Sequence, residues 1–221
     1  MNRAHAVSMI EVEISAGGVG LVGDLAVPEA PRGLVLFAHG SGSGRLSSRN
    51  RFVADSLQSG GLATLLFDLL TVEEEREERF TRHLRFDIDL LVGRLVAAVD
   101  WAGARPETRG LRVGLFGAST GGAAALGAAA ERSDHVAAVV SRGGRPDLTP
   151  EAELRDVRAP TLFIVGGADG TVLALNRRTM ARMVAHVELE VVPGATHLFE
   201  EPGALERVAE LAGEWFERYI T

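Results

Sequence analysis

The chain has 221 residues, 46% of them hydrophobic, enough for the core of one larger α/β domain or at most two small ones. A formal net charge of -7 with scattered arginines argues against a nucleic-acid surface, and the lack of cysteine excludes disulfides, a thiolate nucleophile and a cysteine metal site. Met1 to Ser8, with Arg3 and His5, lacks an apolar core of signal-peptide length, and no apolar run approaches about eighteen residues, so a cytoplasmic protein without a membrane partner is expected.

The chain opens with Ile10, Val12 and Ile14 alternating with Glu11 and Glu13, the period of a half-exposed edge strand. Gly17-Gly18 turns it into a second strand over Val19 to Val27, an antiparallel hairpin. Leu34 to Ala38 is uninterruptedly apolar, as in a strand covered on both faces, and runs into His39-Gly-Ser-Gly-Ser-Gly44. Ser48 is the expected N-cap of a helix over Arg49 to Gln58, which Gly60-Gly61 closes before a strand at Ala63 to Phe67.

Between Asp68 and Arg82 the periodicity fails. The charge run Glu73 to Arg79 has no apolar face and reads as solvated surface, with a mobile flap as the alternative. Leu84, Ile88, Leu91, Val92, Leu95, Val96 and Val99 then recur at helical spacing up to about Trp101. Strands follow at 112–116, His135 to Val140, Thr161 to Val165 and Val187 to Val192, with helices at Ala123 to Glu131, Val172 to Met183 and Ala204 to Tyr219. Strands and helices alternating across short connections predict a mostly parallel sheet with helices on both faces. The expected layout is a disordered tail over residues 1–8 and one domain over 9–221.

Gly117-Ala-Ser119-Thr-Gly121 joins the strand at 113–116 to the alanine-rich helix. A strand that becomes a helix across Gly-x-Ser-x-Gly forces the serine into a strained turn at the carboxyl edge of the sheet, with its hydroxyl presented there. Alone this pattern also fits a glycine-rich packing turn. Two further strand ends strengthen it, because Asp169 follows Thr161 to Val165 and His197 follows Val187 to Val192. A serine hydroxyl is a poor nucleophile, so it needs an imidazole as base and then acid, and the imidazole needs a carboxylate to fix its tautomer. Ser119, His197 and Asp169 are the candidates for these roles. Asp147, one strand earlier, is the alternative carboxylate. Backbone N–H groups of Thr120 and Ser41 are the expected oxyanion donors. His39 reads as a brace for its loop, and His5, His83, His135 and His186 lack ligand spacing, so neither metal nor cofactor is expected. Arg142, just past the strand at 135–140, is a candidate to hold an anionic substrate group, a surface ion pair being the alternative.

Together, His39-Gly-Ser-Gly-Ser-Gly44, Phe67-Asp-Leu-Leu-Thr71, Gly117 to Gly122, Ser141-Arg-Gly-Gly-Arg-Pro-Asp147 and Pro193 to Glu200 resemble the dienelactone-hydrolase-like group of serine α/β-hydrolases, in particular a bacterial subgroup associated with phosphoribosyltransferase domains. The likeness runs from about residue 10 to the end, and no such partner domain lies within the 221 residues. It implies an α/β-hydrolase fold without a cap domain and cleavage of a small carboxylic ester, thioester or lactone. Dienelactone hydrolases proper use a cysteine nucleophile, so their substrate is not carried over. A cofactor-free perhydrolase and a non-catalytic binding protein of the same fold are the alternatives, and a homodimer is compatible with the sequence.

Overall fold

The computed structural model describes residues 7–221. Eight strands form one sheet in the order β1-β2-β4-β3-β5-β6-β7-β8. They are β1 (Val7–Ala16), β2 (Val19–Pro28), β3 (Leu34–Ala38), β4 (Ala63–Phe67), β5 (Val113–Ala118), β6 (Val136–Arg142), β7 (Thr161–Gly166) and β8 (Val187–Val192). The pair β1 and β2 is antiparallel, β2 meets β4 antiparallel, and all pairings from β4 through β8 are parallel. β3, β4, β5 and β7 are buried along their whole length, which is why their sequences are uncharged and mostly apolar runs rather than alternations.

The expected tail over 1–8 needs correction. Val7 and Ser8 pair with Pro28 and Val27 inside β1, while Arg3 and His5 lie outside the described residues.

Seven helices cover the sheet among the described residues: α1 (Ser48–Ser59), α2 (Val72–Thr81), α3 (Ile88–Ala104), α4 (Thr120–Glu131), α5 (Glu151–Asp156), α6 (Gly170–Met180) and α7 (Ala204–Ile220). One face buries α3, α4 and Leu154 of α5 against Leu36, Leu65 and Leu115. The other packs Val53 and Leu57 of α1 and Trp215 and Phe216 of α7 over Phe37 and Phe116, whose rings lie 4.9 Å apart.

Two boundaries differ from expectation for a local reason. The N-cap of α1 is Ser47, whose side chain accepts the Asn50 N–H at 3.4 Å, so this helix starts one residue early. The apolar spacing from Leu84 is broken by a 3-10 turn (Leu84–Phe86), and α3 starts only after Asp87, whose carboxylate accepts the Leu90 N–H at 3.0 Å.

The larger difference is at 68–82, expected to be solvated surface or a flap. Residues 72–81 form helix α2, started by a capping box in which Thr71 accepts the Glu74 N–H and Glu74 accepts the Thr71 N–H. Charges hold this helix where an apolar face is missing. Glu78 is 1% exposed and accepts both the Leu84 N–H (2.8 Å) and the Arg85 Nε–H (2.5 Å), and Glu74 takes a hydrogen bond from Arg94 of α3 at 2.8 Å. Phe80 meanwhile is 89% exposed, so α2 lies across the domain rather than in its core.

Candidate active site

The turn at Ser119 is strained as its sequence predicts. Ser119 has φ 53° and ψ -120°, a region that non-glycine residues seldom occupy. Two close approaches force it. A Cβ on Gly121 would lie 2.1 Å from the carbonyl oxygen of Ala38, and one on Gly117 would lie 2.3 Å from that of Gly121, so only glycine lets α4 seat directly on the ends of β3 and β5. The Ser119 N–H donates to the Arg142 carbonyl at 3.2 Å, and the Ser119 carbonyl accepts from Gly122 and Arg145, each at 3.0 Å. The backbone around the nucleophile candidate is thus bonded on both sides.

Ser119, His197 and Asp169 meet at the carboxyl end of the sheet. With the ring protonated at Nδ1, His197 donates to Oδ2 of Asp169 at 2.7 Å, and its Nε2 is 3.3 Å from Oγ of Ser119, in reach of that hydroxyl as donor. Asp169 is largely buried and His197 partly open to water. The other carboxylate oxygen of Asp169 accepts the Val172 N–H at 3.4 Å and caps α6, so a single aspartate both starts a helix and faces the imidazole. Asp147, the alternative, faces elsewhere. Both of its oxygens are taken by Arg145, through Nε and Nη2 at 2.8 Å each.

The loop after β3 lies against Ser119. A Cβ on Gly40 would be 3.0 Å from Cβ of Ser119. Neither the Ser41 nor the Thr120 amide is spent on a turn or loop hydrogen bond among the described residues, so both remain available as donors. His39 braces this loop. Its Nδ1–H donates to the Gly40 carbonyl at 3.0 Å, and its Nε2 accepts the Leu69 N–H at 3.0 Å, tying β3 to the segment that leads into α2.

Burial pushes His39 below its ordinary value of 6.5, against the opposing pull of the Gly40 carbonyl, Asp68 and Glu75. The unfolded ring takes up a proton near pH 6.5 and the folded ring only at lower pH, so the stability this neutral ring contributes is complete above that value and lost as pH falls. The melting temperature followed from about pH 8 to about pH 5 should therefore fall more for the wild type than for His39→Gln; equal slopes would refute this role.

Arg142 stands beside the nucleophile but is no surface ion pair. It is 7% exposed, its guanidinium lies 5.7 Å from the Phe199 ring centroid, and Nε and Nη1 are enclosed without a hydrogen-bond partner. Burial, with the nearby Arg49 charge, lowers its pKa to about 10, which leaves it cationic at neutral pH. Among the described residues no group of three or more His, Cys, Asp or Glu could hold a metal ion, and no helix is long and apolar enough to cross a membrane.

A cavity adjoins the loop after β3, with none of Ser119, Asp169 and His197 in its lining. It is lined by His39 to Gly42 and Thr120 on the nucleophile side and by Leu69, Leu70 and Arg85 on the side of α2. Its volume is about 270 Å³, counting the solvent at its mouth. The flap alternative for 68–82 put a segment beside the site, but its helix escaped the sequence reading, although the capping box Thr71-x-x-Glu74 was the signal that could have shown it.

Residues 23–220 match the Dienelactone hydrolase family. A crystal structure of dienelactone hydrolase from Anabaena variabilis is 57% identical, covers 98% of this chain and 100% of its own, and superposes with a TM-score of 0.96. Est1E from Butyrivibrio proteoclasticus shares the fold alone, at 18% identity over 94% of this chain and 98% of its own, TM-score 0.78. Curated relatives from two Mycobacterium tuberculosis strains, named phosphoribosyl transferases, are 58% identical over 206 residues, which is 93% of this chain and 45% of theirs. The chain thus spans less than half the length of those relatives, and the phosphoribosyltransferase link rests on their name.

Proposed function

Because the chain belongs to the dienelactone hydrolase family of α/β-hydrolases, we propose that it is a serine hydrolase that cleaves a small carboxylic ester, thioester or lactone through an acyl-enzyme on Ser119. The reading is carried by one observation: a strained serine whose Oγ faces His197 Nε2 at 3.3 Å while His197 Nδ1 faces a largely buried Asp169 at 2.7 Å. In this reading His197 takes the Ser119 proton as Oγ attacks the acyl carbon, and Asp169 stabilises the imidazolium. The amides of Ser41 and Thr120 hold the oxygen that becomes negative. His197 next gives the proton to the leaving alcohol or thiol, and water repeats the sequence to release the acid. No step asks for a cofactor.

Arg142 supplies the one cation beside this site that lacks a carboxylate partner among the described residues, and in the proposal it receives an anionic group of the substrate.

A fluorophosphonate probe should label Ser119, and a p-nitrophenyl ester series should be fastest at acetate or butyrate because the connections between strands build no cap over the site that would deepen its pocket. Absence of label would leave a binding protein of this fold, peracid formation exceeding hydrolysis would leave a perhydrolase, and long-chain esters faster by orders of magnitude would contradict the small pocket. In the same assay, Arg142→Ala should lower the preference for esters with a carboxylate in the acyl part by about 10- to 100-fold relative to neutral ones, the worth of a charged hydrogen bond. Unchanged selectivity would remove Arg142 from the site.

A further inference from the structure

We propose that Asp68, just past the end of β4, is a positioning residue: its carboxylate holds the loop that carries the Ser41 amide in place against Ser119; this rests on the acyl-transfer reading above. Asp68 accepts the Arg45 N–H at Oδ1 (2.7 Å) and the Arg45 Nε–H at Oδ2 (3.2 Å), so one carboxylate takes both the backbone and the side chain of a single loop residue. It also packs on the loop directly, since a Cβ on Gly44 would lie 2.7 Å from Oδ1. Its own N–H donates to the Val22 carbonyl at 3.0 Å, which fastens the carboxylate to the sheet through β2. Arg45 in turn reaches Asp24 of β2 through Nη1 at 2.7 Å.

The next residue grips the loop at its other end. Leu69 donates its N–H to Nε2 of His39 at 3.0 Å, so the consecutive residues 68 and 69 hold the chain on both sides of Ser41, at Arg45 and at His39. Between these points Ser41 and Gly42 are the central residues of a turn closed by the Ser43 N–H on the Gly40 carbonyl at 3.1 Å, with Gly42 at φ 73°. The closing bond fixes the shape of such a turn and leaves the Ser41 N–H out of it. Where the turn points is set by its ends. Gly40 stands against Ser119, a Cβ there falling 3.0 Å from Cβ of Ser119, so any tilt of the turn moves the Ser41 amide relative to the serine.

Asp68 and Arg45 are both partly exposed, and an ion pair of that kind adds little to stability. Asp24 still holds the Arg45 guanidinium when Asp68 is gone, so the fold survives while the Arg45 N–H loses its acceptor. The loss therefore falls on the reaction. An amide shifted from the point where charge develops stabilises the transition state less and leaves substrate binding as it was, which shows in kcat rather than in KM.

The test compares Asp68→Ala, which removes both acceptors, with Asp68→Asn, whose side-chain oxygen can still take the Arg45 N–H. On p-nitrophenyl acetate, Asp68→Ala should lower kcat by about 10- to 100-fold with KM nearly unchanged, the cost of a misplaced oxyanion donor. Asp68→Asn should recover most of that loss. Inhibition by a trifluoromethyl ketone, which mimics the tetrahedral state, should weaken in Asp68→Ala by a factor similar to the fall in kcat/KM. A merely structural role would lower the melting temperature of Asp68→Ala and leave its kcat unchanged well below that temperature, and this result overturns the proposal. So does an asparagine variant as slow as the alanine one, or a loss confined to KM. Should Asp68→Ala fail to fold, judged by circular dichroism, Asp68→Leu, of similar size and without an acceptor, takes its place against the same asparagine control. Fluorophosphonate labelling of wild-type Ser119 is run alongside. Without it the serine-hydrolase reading itself falls, whereas labelling together with an indifferent Asp68→Ala removes the positioning role alone.

Discussion

Replacing Asp169 with asparagine should lower kcat by about 10⁴, by analogy with the serine-protease triad, and leave the fold intact. The variant is unusually clean here because Asp169 has two tasks that the substitution separates. Asparagine caps a helix as well as aspartate does, so the bond to the Val172 N–H and the start of α6 survive. What is lost is the charge facing His197 Nδ1 at 2.7 Å, and with it the tautomer that leaves Nε2 free to take the serine proton. Asp147→Asn breaks only a pair with Arg145 in which both carboxylate oxygens are already engaged, and should cost less than about tenfold, the scale of a partly exposed ion pair. Measuring kcat/KM for both on one activated ester decides between them: a collapse at Asp147 with Asp169 spared would overturn the assignment.

Ser119→Ala should lose more still, about 10⁶ in kcat by analogy with the subtilisin nucleophile, and should no longer take the phosphonate label. Once the nucleophile is gone, a base with nothing to activate contributes nothing, so Ser119→Ala/Asp169→Asn should be little worse than Ser119→Ala. A double variant that falls by the product of the two single losses would show that Asp169 acts outside the hydrogen-bonded line to Ser119. Residual hydrolysis in Ser119→Ala equal to the wild type would move the chemistry to another residue altogether.

The parallel strands were legible because each announces itself locally. Leu34 to Ala38 and Ala63 to Phe67 match β3 and β4 residue for residue, since burial on both faces leaves no charged position, and in β4 a single hydroxyl, Thr64, to blur the ends. The Ser119 turn was legible because its glycines stand where α4 touches β3 and β5. The helix α2 was not, because its stability does not come from an apolar stripe. It comes from a cap at Thr71 and from Glu74 and Glu78 reaching Arg94 and Arg85, partners that a charge run does not reveal. The six-residue α5 is too short for periodicity to register. At the site, the order Ser119, Asp169, His197 could be read from strand ends, but the choice of Asp169 over Asp147 in space depends on which oxygen each already shares. The unpartnered guanidinium of Arg142 likewise has no linear signature, because a missing partner is a property of packing.

The contact of Gly121 with Ala38 has a mechanical meaning. With no spare space between the start of α4 and the end of β3, the serine and the loop that follows β3 cannot shift relative to each other without backbone collision. The two walls of the cleft are therefore unequal partners in motion. One is an anvil, with Ser119 and the loop that carries Ser41 set against each other by the sheet itself. The other, helix α2 (Val72–Thr81), is fastened mainly by hydrogen bonds and ion pairs around Glu74 and Glu78 and carries Phe80 in water. In the proposed hydrolysis, substrate entry and acid release would be paced by that second wall, so changes along α2 would alter their tempo while the geometry of bond breaking stays as the sheet sets it.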